Sequence, residues 1–124
     1  LGSGSVAPDP AYSGFPQWLE RVQGDSMDRE YRNGDLVHVV DAIAVGYVAQ
    51  HGDHVILCRR RVSGGEVERT IKEVVRTPTG VEFWPRSTNP RWAKPIVLSD
   101  GIDQDDSSEV EVAALVIGSY RPRR

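Results

Sequence analysis

Residues 55–75 decide the fold and read VILCRRRVSGGEVERTIKEVV. Two β-prone arms flank a central Ser-Gly-Gly, and a short glycine-containing loop between two such arms is typical of a β-hairpin. The first arm opens on four consecutive apolar residues. The second carries Thr70, Lys72 and Val74 at every second position, so these three side chains share one face of a strand.

Similar β-rich runs recur along most of the chain, and turn-forming residues separate them. Helical periodicity is absent apart from one predicted helical turn around Ser26–Arg32, and the acidic stretch Asp100–Glu109 is predicted to be a surface loop. The sequence therefore predicts an all-β dominated fold, a compact and partly closed β-barrel or sandwich. The predicted strands are Trp18–Val22, Leu36–Val40, Val55–Arg61, Glu66–Val75, Val81–Trp84, Ile96–Leu98 and Val110–Tyr120.

The composition changes near residue 17. The first 16 residues are rich in Gly, Ser, Pro and Ala and carry almost no charge, which is typical of a linker. The total of 124 residues suits one domain with a flexible end. We therefore predict a flexible linker over residues 1–17 and one folded domain over residues 18–124.

The bulk properties exclude several classes of protein. A net charge of −3 argues against a nucleic-acid-binding surface spread over the whole domain, so the arginines at 59–61 and near the C-terminus are interpreted as solvated. No apolar run approaches the roughly 20 residues of a membrane span. The single cysteine, Cys58, allows no internal disulfide and suits a reducing compartment. We expect a cytoplasmic protein without a membrane partner.

The sequence contains no pattern for a metal or a cofactor. His38, His51 and His54 do not lie at metal-ligand spacings, and the two imidazoles of the predicted turn at 51–54 are interpreted as solvated. No glycine-rich phosphate loop is present. We expect neither a metal site nor a cofactor.

Gly24-Asp25-Ser26-Met27 is the first segment that could contribute a catalytic residue. A serine two residues after a glycine, at a strand-to-turn junction, is exposed, and backbone N–H groups of such a turn can stabilise an oxyanion. A structural alternative is that Ser26 caps the helical turn that follows it.

Lys72 is the second candidate catalytic residue. On the apolar face of a strand the amine loses hydration, which lowers its pKa and allows it to accept the proton of a serine hydroxyl. Thr70, two residues earlier on the same face, is placed to hydrogen-bond and orient the amine. The alternative is an ordinary exposed strand lysine. Lys94, the other lysine of the chain, lies in a predicted loop and is the poorer candidate.

These segments, in this order, resemble the LexA, phage-repressor and UmuD-like group of Ser–Lys autopeptidases. Gly24-x-Ser26-Met27, followed by Gly34-Asp35-Leu36-Val37, is similar to the serine motif of the group, and Thr70-Ile71-Lys72 is similar to its lysine strand. The resemblance covers roughly residues 18–121. Further similar segments are Trp84-Pro85, Asn89-Pro90, Pro95-Ile96-Val97 and Val110–Gly118 followed by Arg121.

The resemblance implies a signal-peptidase-like β-fold in which Ser26 is the nucleophile and Lys72 the general base, with Thr70, Met27 and Gly24 supporting them. It implies the C-terminal regulatory and dimerisation domain of a transcriptional repressor, inactivated by self-cleavage in an SOS-type response. The implied partners are a second copy of the chain, an activated RecA filament as co-protease, and operator DNA through an N-terminal domain absent from this sequence.

The chain departs from the family pattern at several points. Arg29 stands where the family often has proline, and Ala113-Ala114 stand where a glycine is usual. Lys72 follows Ser26 by 46 positions, which exceeds the spacing of compact members. Neither Ala-Gly nor Cys-Gly, the dipeptides that the family cleaves, occurs in the chain. We therefore expect that the scissile bond lies outside this sequence.

Three alternatives stay open from the sequence. One is a non-cleaving dimerisation or sensing module of the same fold, and another is a UmuD-like autoprocessed protein. The third is a signal peptidase, which shares the Ser-Met, Gly-Asp and lysine pattern but requires a membrane anchor that the sequence lacks.

Overall fold

A computed structural model describes residues 3–61, 65 and 67–123, and within them the protein is built from β-strands. One 3-10 turn, Pro10–Tyr12, precedes the second strand. The strands are β1 (Ser3–Gly4), β2 (Gln17–Arg21), β3 (Leu36–Asp41), β4 (His54–Arg60), β5 (Val67–Thr77), β6 (Gly80–Trp84), β7 (Ile96–Ser99), β8 (Ile102–Asp103) and β9 (Glu109–Tyr120).

Strand β4 lies at the centre of the core and is buried on both faces. Val55 and Leu57 point into one apolar cluster with Val74 and Phe83, whereas Ile56 points into a second one. A strand covered on both sides needs a continuous apolar run rather than an alternating one, and this accounts for the sequence at 55–58. The second cluster contains Val22, Met27, Tyr31, Val37, Val39, Ile56, Ile71 and Ala114.

The strands form one antiparallel sheet that closes partly on itself. Its order is β1-β2-β3-β9-β4-β5-β6-β7-β8, and β8 returns to pair with β9 through Ile102 and Glu109. Strands β9, β4, β5, β6, β7 and β8 thus make a ring, and β3, β2 and β1 extend the sheet from β9. The predicted fold class, an all-β and partly closed barrel, is confirmed.

All seven predicted strands are present, with ends displaced by at most two residues. The Ser26–Arg32 segment is a hydrogen-bonded turn rather than a helix. Most of the predicted hairpin loop, residues 62–64 and 66, lies outside the described residues. The segment predicted as a linker carries β1 and the 3-10 turn, and the domain boundary at residue 17 stays a prediction.

The prediction of a surface loop over Asp100–Glu109 is wrong in part. Residues 102–103 form β8, and the side chains of Asp103 and Ser108 are buried. The guanidinium of Arg59 lies 3.1 Å from the Asp103 carboxylate and 2.5 Å from that of Asp106. Acidic composition indicated a solvated loop, but ion pairing to Arg59 of β4 compensates the burial of the Asp103 carboxylate. Arg59, interpreted from the sequence as solvated, is largely covered as well.

We expect that Ile56→Ala lowers the free energy of unfolding by about 2–5 kcal/mol, because it leaves a cavity in the cluster beneath the Ser26 turn. Ile43→Ala is the matched control, since Ile43 is 75% exposed, and it should change stability by at most about 0.5 kcal/mol. Urea unfolding followed by tryptophan fluorescence measures both. Equal effects of the two substitutions would contradict the assignment of Ile56 to the core.

Candidate active site

The Ser26 turn, residues 24–31, follows β2 and is fastened at both ends. Gly24 has a φ of +82°, a conformation that favours glycine, and its N–H donates to Asn33 Oδ1 at 2.9 Å. The N–H of Tyr31 donates to the carbonyl of Met27 at 2.8 Å. The Met27 and Tyr31 side chains, which follow the serine, are buried in the cluster around Ile56, so they anchor this part of the turn to the core.

A second segment, residues 86–92, lies against this turn. The N–H of Arg86 donates to the carbonyl of Ser26 at 2.9 Å, and the N–H of Arg29 donates to the carbonyl of Arg86 at 3.0 Å. Thr88 donates to the Asp28 carboxylate through both its N–H and its hydroxyl, each at 2.7 Å. The 86–92 segment therefore holds the turn by backbone and side-chain hydrogen bonds, although the turn pairs with no strand in the described chain.

Asp25, the residue before the serine, also binds this segment. Its carboxylate accepts from the Asn89 amide at 2.9 Å and from the Trp92 indole at 2.6 Å. These two hydrogen bonds, the one from Asn89 foremost, hold the pKa of Asp25 below its ordinary value. No sequence pattern identified this contact, because its partners lie more than 60 residues apart.

Lys72 lies in the middle of β5 and is 5% exposed. Its Nζ lies 2.6 Å from Thr70 Oγ1, 3.0 Å from the carbonyl oxygen of Ile71 and 3.3 Å from Ser26 Oγ. The interpretation of Lys72 as an exposed strand lysine is therefore wrong, and the structure brings together the two residues that the sequence singled out. Thr70 contacts the amine as expected from its place on the same face of the strand.

Burial lowers the pKa of Lys72 to about 8, because desolvation disfavours the ammonium form. The positive charge of Arg59 acts in the same direction, and the negative charge of Glu68 opposes it. The Trp92 ring covers the amine, with 6.0 Å between Nζ and the ring centroid. A fraction of Lys72 on the order of a tenth is then neutral at pH 7 and able to accept a proton.

Two cavities meet at this pair of side chains. Ser26 lines a cleft of about 290 Å³ between the turn and β5, and Lys72 lines a neighbouring groove of about 540 Å³. Glu68, Thr70 and Trp92 line both. A molecule that binds in the cleft can therefore reach the serine hydroxyl beside the amine.

Met27 and Gly24, the other residues predicted to support the site, contribute to the packing and the backbone conformation of the turn. Met27 is buried in the core and Gly24 provides the left-handed backbone at the start of the turn. Lys94 lies in the groove, outside the strands. Among the residues that the structure describes, the hydrogen bonds of the Lys72 amine go to Ser26, Thr70 and Ile71 rather than to Met27 or Gly24.

His54, interpreted from the sequence as a solvated imidazole of a turn, instead begins β4 and is hydrogen-bonded at both nitrogens. Nδ1 lies 2.5 Å from the Tyr31 hydroxyl, and Nε2 lies 3.0 Å from Glu73 Oε1. Donor atoms of Glu30, His54 and Glu73 all lie within 4.8 Å of one another. The imidazole and Glu73 already use their donor atoms within the protein, so this cluster does not amount to a metal site.

Comparison with known proteins identifies the family. The model of the peptidase S24-like family matches residues 15–117. This chain is a member of the peptidase S24-like family. It is also 30% identical over 124 residues to the prophage repressor CohE of Escherichia coli strain K12, with all of the chain and 48% of that protein aligned. The chain thus spans about half the length of this relative.

The S24-like match includes both the Ser26 turn and β5. No solved structure gives a significant match to the chain. In the described ranges, no helix is long and apolar enough to span a membrane.

We expect that Lys72 of this S24-like chain titrates near pH 8 rather than at the ordinary lysine value of 10.5. Lys94→Arg leaves Lys72 as the only lysine, so its ¹³Cε NMR signal can be followed alone from pH 6 to 11. A midpoint above about 10 would contradict the desolvation of the amine.

The same shift predicts how stability depends on pH. Since the folded-state pKa lies below the unfolded one, the unfolded chain binds more protons between pH 8 and 10.5, and folding is favoured as pH rises through this window. Relative to Lys72→Met, the wild type should gain about 3 kcal/mol in unfolding free energy from pH 8 to 10.5. Urea titrations at several pH values measure it, and parallel curves for the two proteins would contradict the shift.

Proposed function

We propose that this chain is the regulatory domain of a transcriptional repressor that inactivates itself by cutting its own polypeptide with a Ser26–Lys72 dyad. One observation carries the proposal: the buried amine of Lys72 lies 3.3 Å from the Ser26 hydroxyl at the edge of an open cleft. Membership in the peptidase S24-like family and similarity to a prophage repressor support it.

In the proposed reaction the neutral Lys72 amine removes the proton of Ser26 Oγ, which attacks the carbonyl carbon of the scissile peptide bond. The resulting ammonium then protonates the departing amine, and the C–N bond breaks to leave an ester on Ser26. Water then attacks this ester while the neutral Lys72 amine accepts one of its protons. The Lys72 ammonium returns that proton to Ser26 Oγ as the C–O bond breaks, which releases the carboxylic acid product and regenerates both residues. Hydrogen bonds to Thr70 and the Ile71 carbonyl orient the amine throughout.

Backbone N–H groups of the Ser26 turn are the proposed oxyanion site. Those of Ser26 and Met27 donate to no acceptor within the part of the chain that the structure describes. Both residues line the cleft, and backbone N–H groups without a partner are the kind of donor that a tetrahedral intermediate needs.

The cleft suits an extended peptide. Strand β5 pairs with β4 over Val67–Glu73 but with β6 only from Glu73 onward. Its other edge is therefore unpaired over Val67–Lys72 in the described chain, directly beside the cleft. A substrate segment that adds to this edge as a strand would bring its backbone to Ser26.

Self-cleavage would end repression by separating the part that binds DNA from the part that dimerises. A dimer holds two DNA-binding domains on neighbouring half-sites, and loss of the link removes the gain in affinity from joint binding. We propose a homodimer in the cytoplasm that contacts operator DNA through another domain and is stimulated by a RecA filament.

A second candidate function is a non-cleaving dimerisation or sensing module. It is favoured by one observation, the absence of Ala-Gly and Cys-Gly from the chain. In that case the same fold would carry an idle dyad.

The test is incubation of the full-length protein between pH 6 and 10, with fragments followed by mass spectrometry. We expect the rate of cleavage to rise with pH and to level off above about pH 8, as Lys72 becomes neutral. Ser26→Ala and Lys72→Ala should each lower the rate by about 100-fold or more. Ile43→Ala, an exposed substitution outside both the cleft and the groove, is the control and should leave the rate unchanged.

Cleavage that persists in both Ser26→Ala and Lys72→Ala would overturn the dyad. An intact wild type at pH 10, with and without a RecA filament, would favour the non-cleaving module.

A further inference from the structure

The two members of the dyad lie on elements that no strand pairing joins. Ser26 lies in a turn and Lys72 in β5, 46 residues later. Apolar contacts between Met27, Tyr31 and Ile71 bring these elements together, but such contacts are not directional. A displacement of about 1 Å between reacting groups can cost roughly 100-fold in rate, so directional contacts are needed to fix the distance.

Glu73, the residue after Lys72, supplies such contacts in two directions. One carboxylate oxygen, Oε2, accepts from Arg86 Nε at 2.8 Å and from Nη2 at 2.7 Å. The other, Oε1, accepts from His54 Nε2 at 3.0 Å. Burial alone would raise the pKa of Glu73, but the hydrogen bonds from His54 and Arg86 outweigh it and keep the group ionised.

Two chains of hydrogen bonds lead from Glu73 to the Ser26 turn, one through Arg86 and the other through His54 and Tyr31, and we call them the two arms of the network. In the first arm, the backbone N–H of Arg86 donates to the carbonyl of Ser26 at 2.9 Å. In the second arm, His54 Nε2 lies against the Glu73 carboxylate, which can only accept, so Nε2 carries the proton. His54 Nδ1 is then the acceptor, and the Tyr31 hydroxyl donates to it at 2.5 Å. Burial raises the pKa of Tyr31 above its ordinary value, so its hydroxyl keeps the proton that it donates.

We propose that Glu73 is a positioning residue for the dyad, because its carboxylate holds both sides of the Ser26 turn, through Arg86 and through His54 and Tyr31, against the strand that carries Lys72. This inference rests on the proposed self-cleavage. Glu73 does not touch the reacting atoms, since successive side chains of a strand point to opposite faces. The charges that shift the pKa of Lys72 are those of Arg59 and Glu68, and Glu73 is not among them.

Removal of this carboxylate should therefore slow cleavage without changing the basicity of Lys72. We expect Glu73→Gln to lower the maximal rate of self-cleavage of the full-length protein by about tenfold or more. The midpoint of the pH–rate profile should stay within about 0.3 of the wild-type value. A structural role alone would instead loosen the packing, hydrate Lys72 and move the midpoint upward towards the ordinary lysine value.

The two-armed arrangement predicts a further result. Tyr31→Phe removes only one arm and should slow cleavage severalfold in the wild type. Added to Glu73→Ala, which removes both acceptor oxygens and so disables both arms, it should change the rate by less than about twofold. Glu82→Gln, a partly buried glutamate on β6 that accepts one hydrogen bond from Trp84, is the matched control and should cleave at the wild-type rate.

Circular dichroism and thermal unfolding establish that each variant is folded at the assay temperature. A Glu73→Gln rate within twofold of that of Glu82→Gln would overturn the positioning role. An upward shift of the pH midpoint, or a full additive loss in the double variant, would overturn it as well. A wild type that does not cleave would overturn the proposed function and this inference together, whereas a cleaving wild type with unaffected variants overturns only the inference.

Discussion

Burial of a lysine amine in a small β-domain is the constraint on which the rest of the site depends. An amine removed from water is costly unless hydrogen bonds compensate it or the proton is lost. The fold meets both conditions, because Thr70, the Ile71 carbonyl and Ser26 surround Nζ while burial lowers its pKa. Ser26 itself is held by the contacts of its turn with the core and with the 86–92 segment, so the site extends well beyond Ser26 and Lys72.

The Ser26 turn shows how a loop can be made rigid without strand pairing. The buried side chains of Met27 and Tyr31 attach it to the core, and the 86–92 segment binds its backbone and its carboxylates. A serine on a loop is accessible, and the proposed role of Ser26 as a nucleophile needs contacts of this kind to keep its geometry. Ser26 still lines the cleft, so these contacts hold the turn without closing the access to its hydroxyl.

Much of the fold was predictable because strand formation is largely local. The hairpin arms of β4 and β5 follow from apolar runs and turn residues, and the partial closure of the sheet follows from many short strands with regular turns. The acidic stretch at 100–109 was predicted wrongly in part, since composition does not reveal that Arg59 compensates Asp103 from another strand. The interpretation of His54 as a solvated imidazole is wrong because Tyr31 and Glu73, which bind its two nitrogens, become its neighbours only in the folded chain.

The sequence by itself determined the strand pattern, the place of Lys72 on one face with Thr70, and, through an ordered resemblance, the choice of Ser26 and Lys72 as candidates. These depend on residue type, spacing and periodicity, which are local properties of the chain. Only the tertiary structure decided that the two side chains meet, that Lys72 is desolvated, and that Glu73 links the two elements. The reason is physical: hydration, electrostatic environment and distance are set by atoms that are remote in sequence and become neighbours only when the sheet closes.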